Sequence, residues 1–256
     1  MWKWFHQFAS PQHVYRLAGQ WMPWLFGLAV VGLVVGTYGG LVRAPVDYQQ
    51  KDAFRIIYVH VPSAYLSMLA YVVMAIASVI GLVWRMKLAH AVAVSAAPIG
   101  ASFTFLALAT GSLWGKPMWG TWWEWSDPRM MTELLLLFMY LGYMALRSSI
   151  EDRNRADRAG AVLAIVGVVN VVLIHYSVEW WSSLHQGQTV MNDDAVMPAS
   201  MLTPLLINIV SFSLFFGALL FSRLRSEVLM RERNARWVRR LVNDSAAGSQ
   251  KVERHA

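Results

Sequence analysis

The sequence predicts an all-α membrane protein with six transmembrane helices, and three observations carry that reading. Of its 256 residues 57% are hydrophobic and 14% are charged, where a soluble domain carries about 25% charged residues. Six stretches are apolar for roughly the 20 residues that a bilayer crossing requires. The Lys and Arg residues collect in alternate loops, the pattern that sets orientation in a membrane.

Residues Met1 to Gln20 are polar and aromatic, with Trp2, Trp4, Phe5 and Phe8, and suit an interfacial segment better than a cleavable signal peptide. The first span, Trp21–Val42, carries Gly32, Gly36 and Gly40 every fourth residue. Such a small-residue stripe lets a second helix approach closely. The second span, Ile56–Trp84, is long and extends beyond the hydrocarbon at one end; Ala89–Leu113 is the third. The fourth, Met130–Leu146, is short unless Thr132 and Glu133 sit at the interface, and Asp127-Pro128 before it reads as a turn with Asp127 as helix cap. Ala159–Val178 and Met201–Phe221 complete the set, with Asn208 a buried amide that joins helices. Residues 1–240 form one six-helix domain, whose last stretch, Ser222 to Arg240, is charged and helix-compatible. Residues 241–256 read as a disordered tail.

Most of the 22 basic residues precede the first span, follow the second and fourth, or lie in the tail. The remaining loops hold only Arg43, Lys51, Arg55, Lys116 and Arg129. The positive-inside rule then puts both termini in the cytoplasm and three loops, near residues 43–55, 113–130 and 179–200, on the outer face. The net charge of +7 is thus a topology signal and a contact for anionic membrane lipids, not a nucleic-acid surface. With no cysteine, the chain has no disulfide, thiolate metal site, cysteine nucleophile or thioether-bound cofactor. It shows no phosphate-binding loop, HExxH or nucleophile elbow, so it reads as a non-enzyme whose ATP-driven partners, if any, are other chains.

The outer loops hold seven of the 13 tryptophans: Trp114, Trp119, Trp122, Trp123, Trp125, Trp180 and Trp181. An aromatic belt at the headgroups explains one or two rings per helix end, but five between Leu113 and Arg129 suggest a flat ligand surface in a loop. His60, in Tyr58-Val59-His60-Val61-Pro62, and His185, in the third loop, fall at the same level. Two imidazoles beside stacked indoles suit a planar, apolar macrocycle with a central iron. Glu124, Asp127 and Arg129 add charges, and Arg129, Lys116 or Arg55 could pair with acidic substituents of such a ligand, although a solvated loop with internal ion pairs fits equally. His175 is a packing histidine or a supporting group, and Met68, Met74, Met130, Met131 and Met139 read as packing or lipid-facing residues. A b-type haem electron-transfer subunit and a six-helix permease for an aromatic solute remain as alternatives.

The run Trp114-Gly115-Lys116-Pro117-Met118-Trp119-Gly120-Thr121-Trp122-Trp123, with Trp125, Asp127 and Arg129 after it, resembles the tryptophan-rich WWD domain of haem-handling membrane proteins. With the segments around His60 and His185, it resembles the haem exporter protein C family (CcmC) of cytochrome c maturation over nearly the whole chain. The chain departs from the pattern where Ser126 adds one residue and Pro128 precedes Arg129, which leaves the register of Asp127 and Arg129 open. The resemblance implies an ABC-transporter-linked protein of the bacterial inner membrane that presents non-covalent b-type haem on its periplasmic side. His60 and His185 would be its axial ligands, and Trp114, Trp119, Trp122, Trp123, Trp125, Asp127 and Arg129 its binding surface. It implies delivery to the periplasmic haem chaperone CcmE, with the small membrane protein CcmD, the ATPase CcmA and the membrane subunit CcmB as partners.

Overall fold

A computed structural model of the chain describes residues 10–185 and 197–253, with side chains to residue 244. The interfacial aromatics Trp2, Trp4, Phe5 and Phe8 lie outside the described residues. Seven α-helices follow in order: α1 Pro11–Tyr38, α2 Ile57–Val83, α3 Lys87–Trp119, α4 Pro128–Ser148, α5 Arg153–Trp180, α6 Ala199–Arg231 and α7 Arg236–Glu253. A π-helical turn, Gly39–Arg43, extends α1, and a 3-10 turn, Asp52–Ile56, leads into α2. The six expected spans are therefore present, each longer than its apolar window. At 33 residues, α3 is about 50 Å long against a hydrocarbon core of about 30 Å, so its end stands clear of the core.

Two boundaries differ from the sequence reading. The loop expected from Leu113 to Arg129 begins only after Trp119, so Trp114 and Trp119 are helical. Pro117, in the last turn, removes one backbone hydrogen bond without stopping the helix. The stop is Gly120, left-handed at φ 78°, whose N–H donates to Lys116 O at 3.1 Å. In the tail, the backbone is helical over Arg236–Glu253, through residues that the composition reads as disordered.

Consecutive helices run antiparallel. α2 and α3 are the central pair and touch α4, α5 and α6, while α1 packs chiefly on α6. The glycine stripe makes that last contact at two points, Gly32 against Ser211 and Gly36 against Asn208, while Gly40, in the π-helical turn, abuts Tyr58 of α2. Asn208 joins α1 and α6 by packing its fully buried amide against Gly36. A Cβ at Gly36 would lie 2.8 Å from Asn208 Oδ1, whereas one at Gly27 meets nothing within 4 Å. Gly36→Leu is expected to lower stability by about 1–3 kcal/mol through overpacking, and Gly27→Leu to leave it unchanged. Thermal unfolding of the two variants in detergent compares them directly.

Beneath these contacts the core is built from Tyr71, Tyr140, Leu136 and Phe103, with Tyr140 donating to Ser67 O at 2.8 Å. At one end, the C-termini of α1, α3 and α5 meet the N-termini of α2, α4 and α6. Trp114, Trp119, Trp122, Trp123 and Trp125 gather there with the two candidate histidines.

Candidate functional site

His60 sits one turn into α2, in register with Ala64 and Met68 at i+4 and i+8, and all three face a cavity of about 40 Å3. Across it, Gly111 of α3 leaves room for the imidazole, since a Cβ there would come 3.1 Å from His60 Cε1. The ring's Nδ1 lies 3.0 Å from Thr110 Oγ1. The Thr110 hydroxyl already donates to Leu106 O at 2.6 Å, so it accepts from the ring. The proton is then on Nδ1, and Nε2 keeps its lone pair.

Behind His60, Trp114 stands edge-on at 5.6 Å between ring centroids. Its indole N–H donates to Gln50 Oε1 at 2.9 Å. Gln50 is placed by a turn in which the Asp47 carboxylate accepts from the Gln49 and Gln50 N–H groups at 2.9 and 2.6 Å. Trp114 thus braces the imidazole and packs toward Tyr58 and Leu205 instead of lining the cavity.

His185 reaches the same cavity from the loop after α5. Asp127 holds it there. As N-cap of α4, followed by Pro128, the Asp127 carboxylate accepts from Met130 N at 2.9 Å. The same group accepts from Ser183 Oγ at 2.7 Å and Leu184 N at 2.9 Å, and lies 3.4 Å from His185 Nδ1. Ser183 Oγ is 3.3 Å from that nitrogen as well. Having given its own proton to Asp127, the serine can only accept there, so His185 also carries its proton on Nδ1. Burial alone would raise the Asp127 pKa. The hydrogen bonds from His185, Met130, Ser183 and Leu184 outweigh it and hold the carboxyl well below the usual range.

The stretch around Ser126 is held by its own turn. Glu124 accepts from the Ser126 N–H and hydroxyl at 3.1 and 2.8 Å, which holds its own carboxyl below the usual range, and Asp127 N donates to Glu124 O. This turn leaves Asp127 at the helix start.

The other expected residues divide. Trp119 and Trp123 line the cavity, with Trp119 5.0 Å from the His185 ring. The Trp123 indole N–H is buried and has no partner among the described residues. Trp122 and Trp125 are exposed, Trp125 packing on Trp123 at 5.6 Å. Of the three cations, only Arg129 faces the cavity. Lys116 donates to Gly120 O at 3.0 Å, and Arg55 ties Asp52 to Gly40 O at 2.9 and 2.8 Å. His175 is exposed and packs on Tyr176, away from the cavity wall.

Two residues here escape the sequence reading. Thr110 looks like one more small residue on an apolar helix. Glu133 looks interfacial, but it lines the cavity at 8% exposure with Oε1 unpartnered among the described residues. Its signal is the spacing of Arg129 and Glu133, which puts both on one face of α4. Met68 and Met130 also line the cavity. Among the described residues no group of three or more His, Asp or Glu could hold a metal. Two imidazoles suit a metal whose equatorial positions are already filled.

The family model for heme exporter protein C matches residues 4–239 of this chain. Heme exporter protein C of Escherichia coli K12 is 50% identical over 242 residues, covering 94% of this chain and 98% of the relative. The protein of that name from Haemophilus influenzae is 47% identical over 243 residues, with 94% and 98% covered. The one from Bradyrhizobium diazoefficiens is 48% identical over 224 residues, with 87% and 84% covered. Match and coverage together place this chain in the heme exporter protein C family.

Proposed function

We propose that the chain binds haem as cargo between His60 and His185 and passes it to a haem chaperone, catalysing no reaction itself. The observation that carries this reading is the shared state of the two imidazoles. Each faces one cavity with Nδ1 occupied by an oxygen acceptor and Nε2 left with its lone pair. That is how a protein prepares histidine for a metal: the second nitrogen fixes ring orientation and tautomer. The indoles of Trp119 and Trp123, extended outward by Trp122 and Trp125, offer apolar faces for a non-covalent porphyrin. Arg129, which lines the cavity, is the cation for a propionate.

At about 40 Å3 the cavity is far below the roughly 300 Å3 of the smallest usual ligand pockets. Loading therefore requires Trp119 and the Ser183–His185 segment to swing outward. The distribution of basic residues supports a site on the periplasmic face of a bacterial inner membrane. The family name supports haem as the exported group. The partners of this reading are the chaperone CcmE, the small protein CcmD, and CcmA and CcmB as the ATP-driven pair.

Protein purified in detergent from haem-replete cells is expected to show a six-coordinate, low-spin haem spectrum. Mixed with purified chaperone, it is expected to yield a covalent haem–chaperone adduct. An absence of Soret absorption would exclude haem as cargo, and a haem-loaded protein that forms no adduct would exclude delivery.

A further inference from the structure

A second, larger cavity of about 370 Å3 lies at the other end of the bundle, between the ends of α4 and α5 and the flanks of α3 and α6. Its polar wall carries Arg147, Arg153 and Arg223, one from each of α4, α5 and α6, with Tyr143. The apolar part of its wall is formed by Val94, Pro98 and Met144, which belong to the candidate membrane spans α3 and α4.

The arginines differ in commitment. Arg147 is anchored, donating to Asp157 Oδ1 at 2.6 Å. Asp157 also takes the Arg231 guanidinium at 2.8 and 3.0 Å, and Arg231 in turn holds Glu227 at 2.6 Å. Glu227, one of two acids on the cavity wall, is therefore neutralised. Glu151, the other, is exposed. Arg153 and Arg223 are exposed at the rim and make no ion pair among the described residues. A pre-set guanidinium and two uncommitted ones thus converge over an apolar wall, at the depth where spans meet water.

We infer that this cavity binds the headgroup of an anionic phospholipid from the surrounding bilayer. The phosphodiester sits among Arg147, Arg153 and Arg223, and an acyl chain lies along Val94 and Met144. Basic recesses between helices are where such headgroups are held. The apolar wall distinguishes a lipid from a free anion, which has no use for it.

The test is native mass spectrometry of the full-length protein in mild detergent, after exposure to mixed micelles of phosphatidylglycerol and phosphatidylethanolamine. The wild type is expected to retain phosphatidylglycerol about tenfold over phosphatidylethanolamine. The Arg153→Ala/Arg223→Ala double variant, altered only at exposed positions, is expected to lose that preference. Arg153→Lys/Arg223→Lys is expected to keep part of it. Matching thermal unfolding curves show that the variants are folded. Equal retention of both lipids by the wild type, or an unchanged preference in the alanine variant, overturns the inference. Displacement by millimolar inorganic phosphate does so too, since it marks a free-anion site. Capture of an acidic protein with no lipid preference would assign the surface to a protein partner instead.

Discussion

Asp127→Ala is expected to cut the haem-to-protein ratio of the purified protein by roughly 10- to 100-fold, the usual cost of losing a group that orients a metal ligand. Asp127 is absent from the cavity wall, so the loss comes through what it holds. Without it, the N–H groups of Met130 and Leu184 and the Ser183 hydroxyl lose their acceptor. The helix cap, which is the Met130 bond, contributes about 1 kcal/mol and the bonds from Ser183 and Leu184 to the charged carboxylate about 1.5–3 kcal/mol each, together enough to free the His185 segment. Asp127→Asn keeps an effective cap but removes the charge beside His185, so its ratio is expected between alanine and wild type. The depressed pKa gives the pH dependence its sign. The carboxylate's contribution is complete above the ordinary carboxyl value near 4 and is lost only as pH falls through the lower folded value. Asp127 therefore causes no haem loss above about pH 4. Wild-type haem content in Asp127→Ala would overturn this assignment.

His60→Ala and His185→Ala are each expected to convert the six-coordinate, low-spin spectrum to a five-coordinate one, and the double variant to abolish haem retention. The two single variants should also differ. Removing His60 takes away a ligand built into a continuous helix and braced by Trp114, leaving the loop-borne His185 to hold the cargo alone. Its haem content is expected to be the lower of the two. Absorption spectra with and without added imidazole read this out, because exogenous imidazole restores the low-spin form only where a single axial position was vacated. An unchanged low-spin spectrum in either variant would sink that histidine's assignment.

Much of this was legible in the chain because it depends on local pattern. Apolar windows place six spans, a four-residue glycine period marks the α1–α6 seam, and Asp127-Pro128 announces a helix start. The pairing of His60 with His185 follows from topology, since helices of alternating direction return both to one end. What the chain did not disclose depends on helical phase and on side-chain hydrogen bonding. Gly115 and Pro117 look like breakers, yet α3 continues to Trp119, and that continuation decides which indoles face inward. The split between Trp114 as brace and Trp119 as cavity wall follows from a helical rotation of about 100° per residue, and the placing of Trp122, Trp123 and Trp125 from the turns after Gly120, neither of which composition specifies. Thr110 and Ser183 matter only because each hydroxyl proton is already committed elsewhere, and that fact needs the neighbours in place.

The unequal fastening of the two imidazoles has a mechanical consequence. His60 is a post, set in the shaft of α2, whereas His185 is a latch, carried outside any helix after the end of α5 and fastened chiefly by the Asp127 carboxylate. On the proposed reading, cargo gripped between this post and this latch would leave from the latch side, a direction set before any partner arrives. A chaperone competing for iron would then need only reach the face that His185 vacates, while His60 would keep the load from drifting into the bilayer.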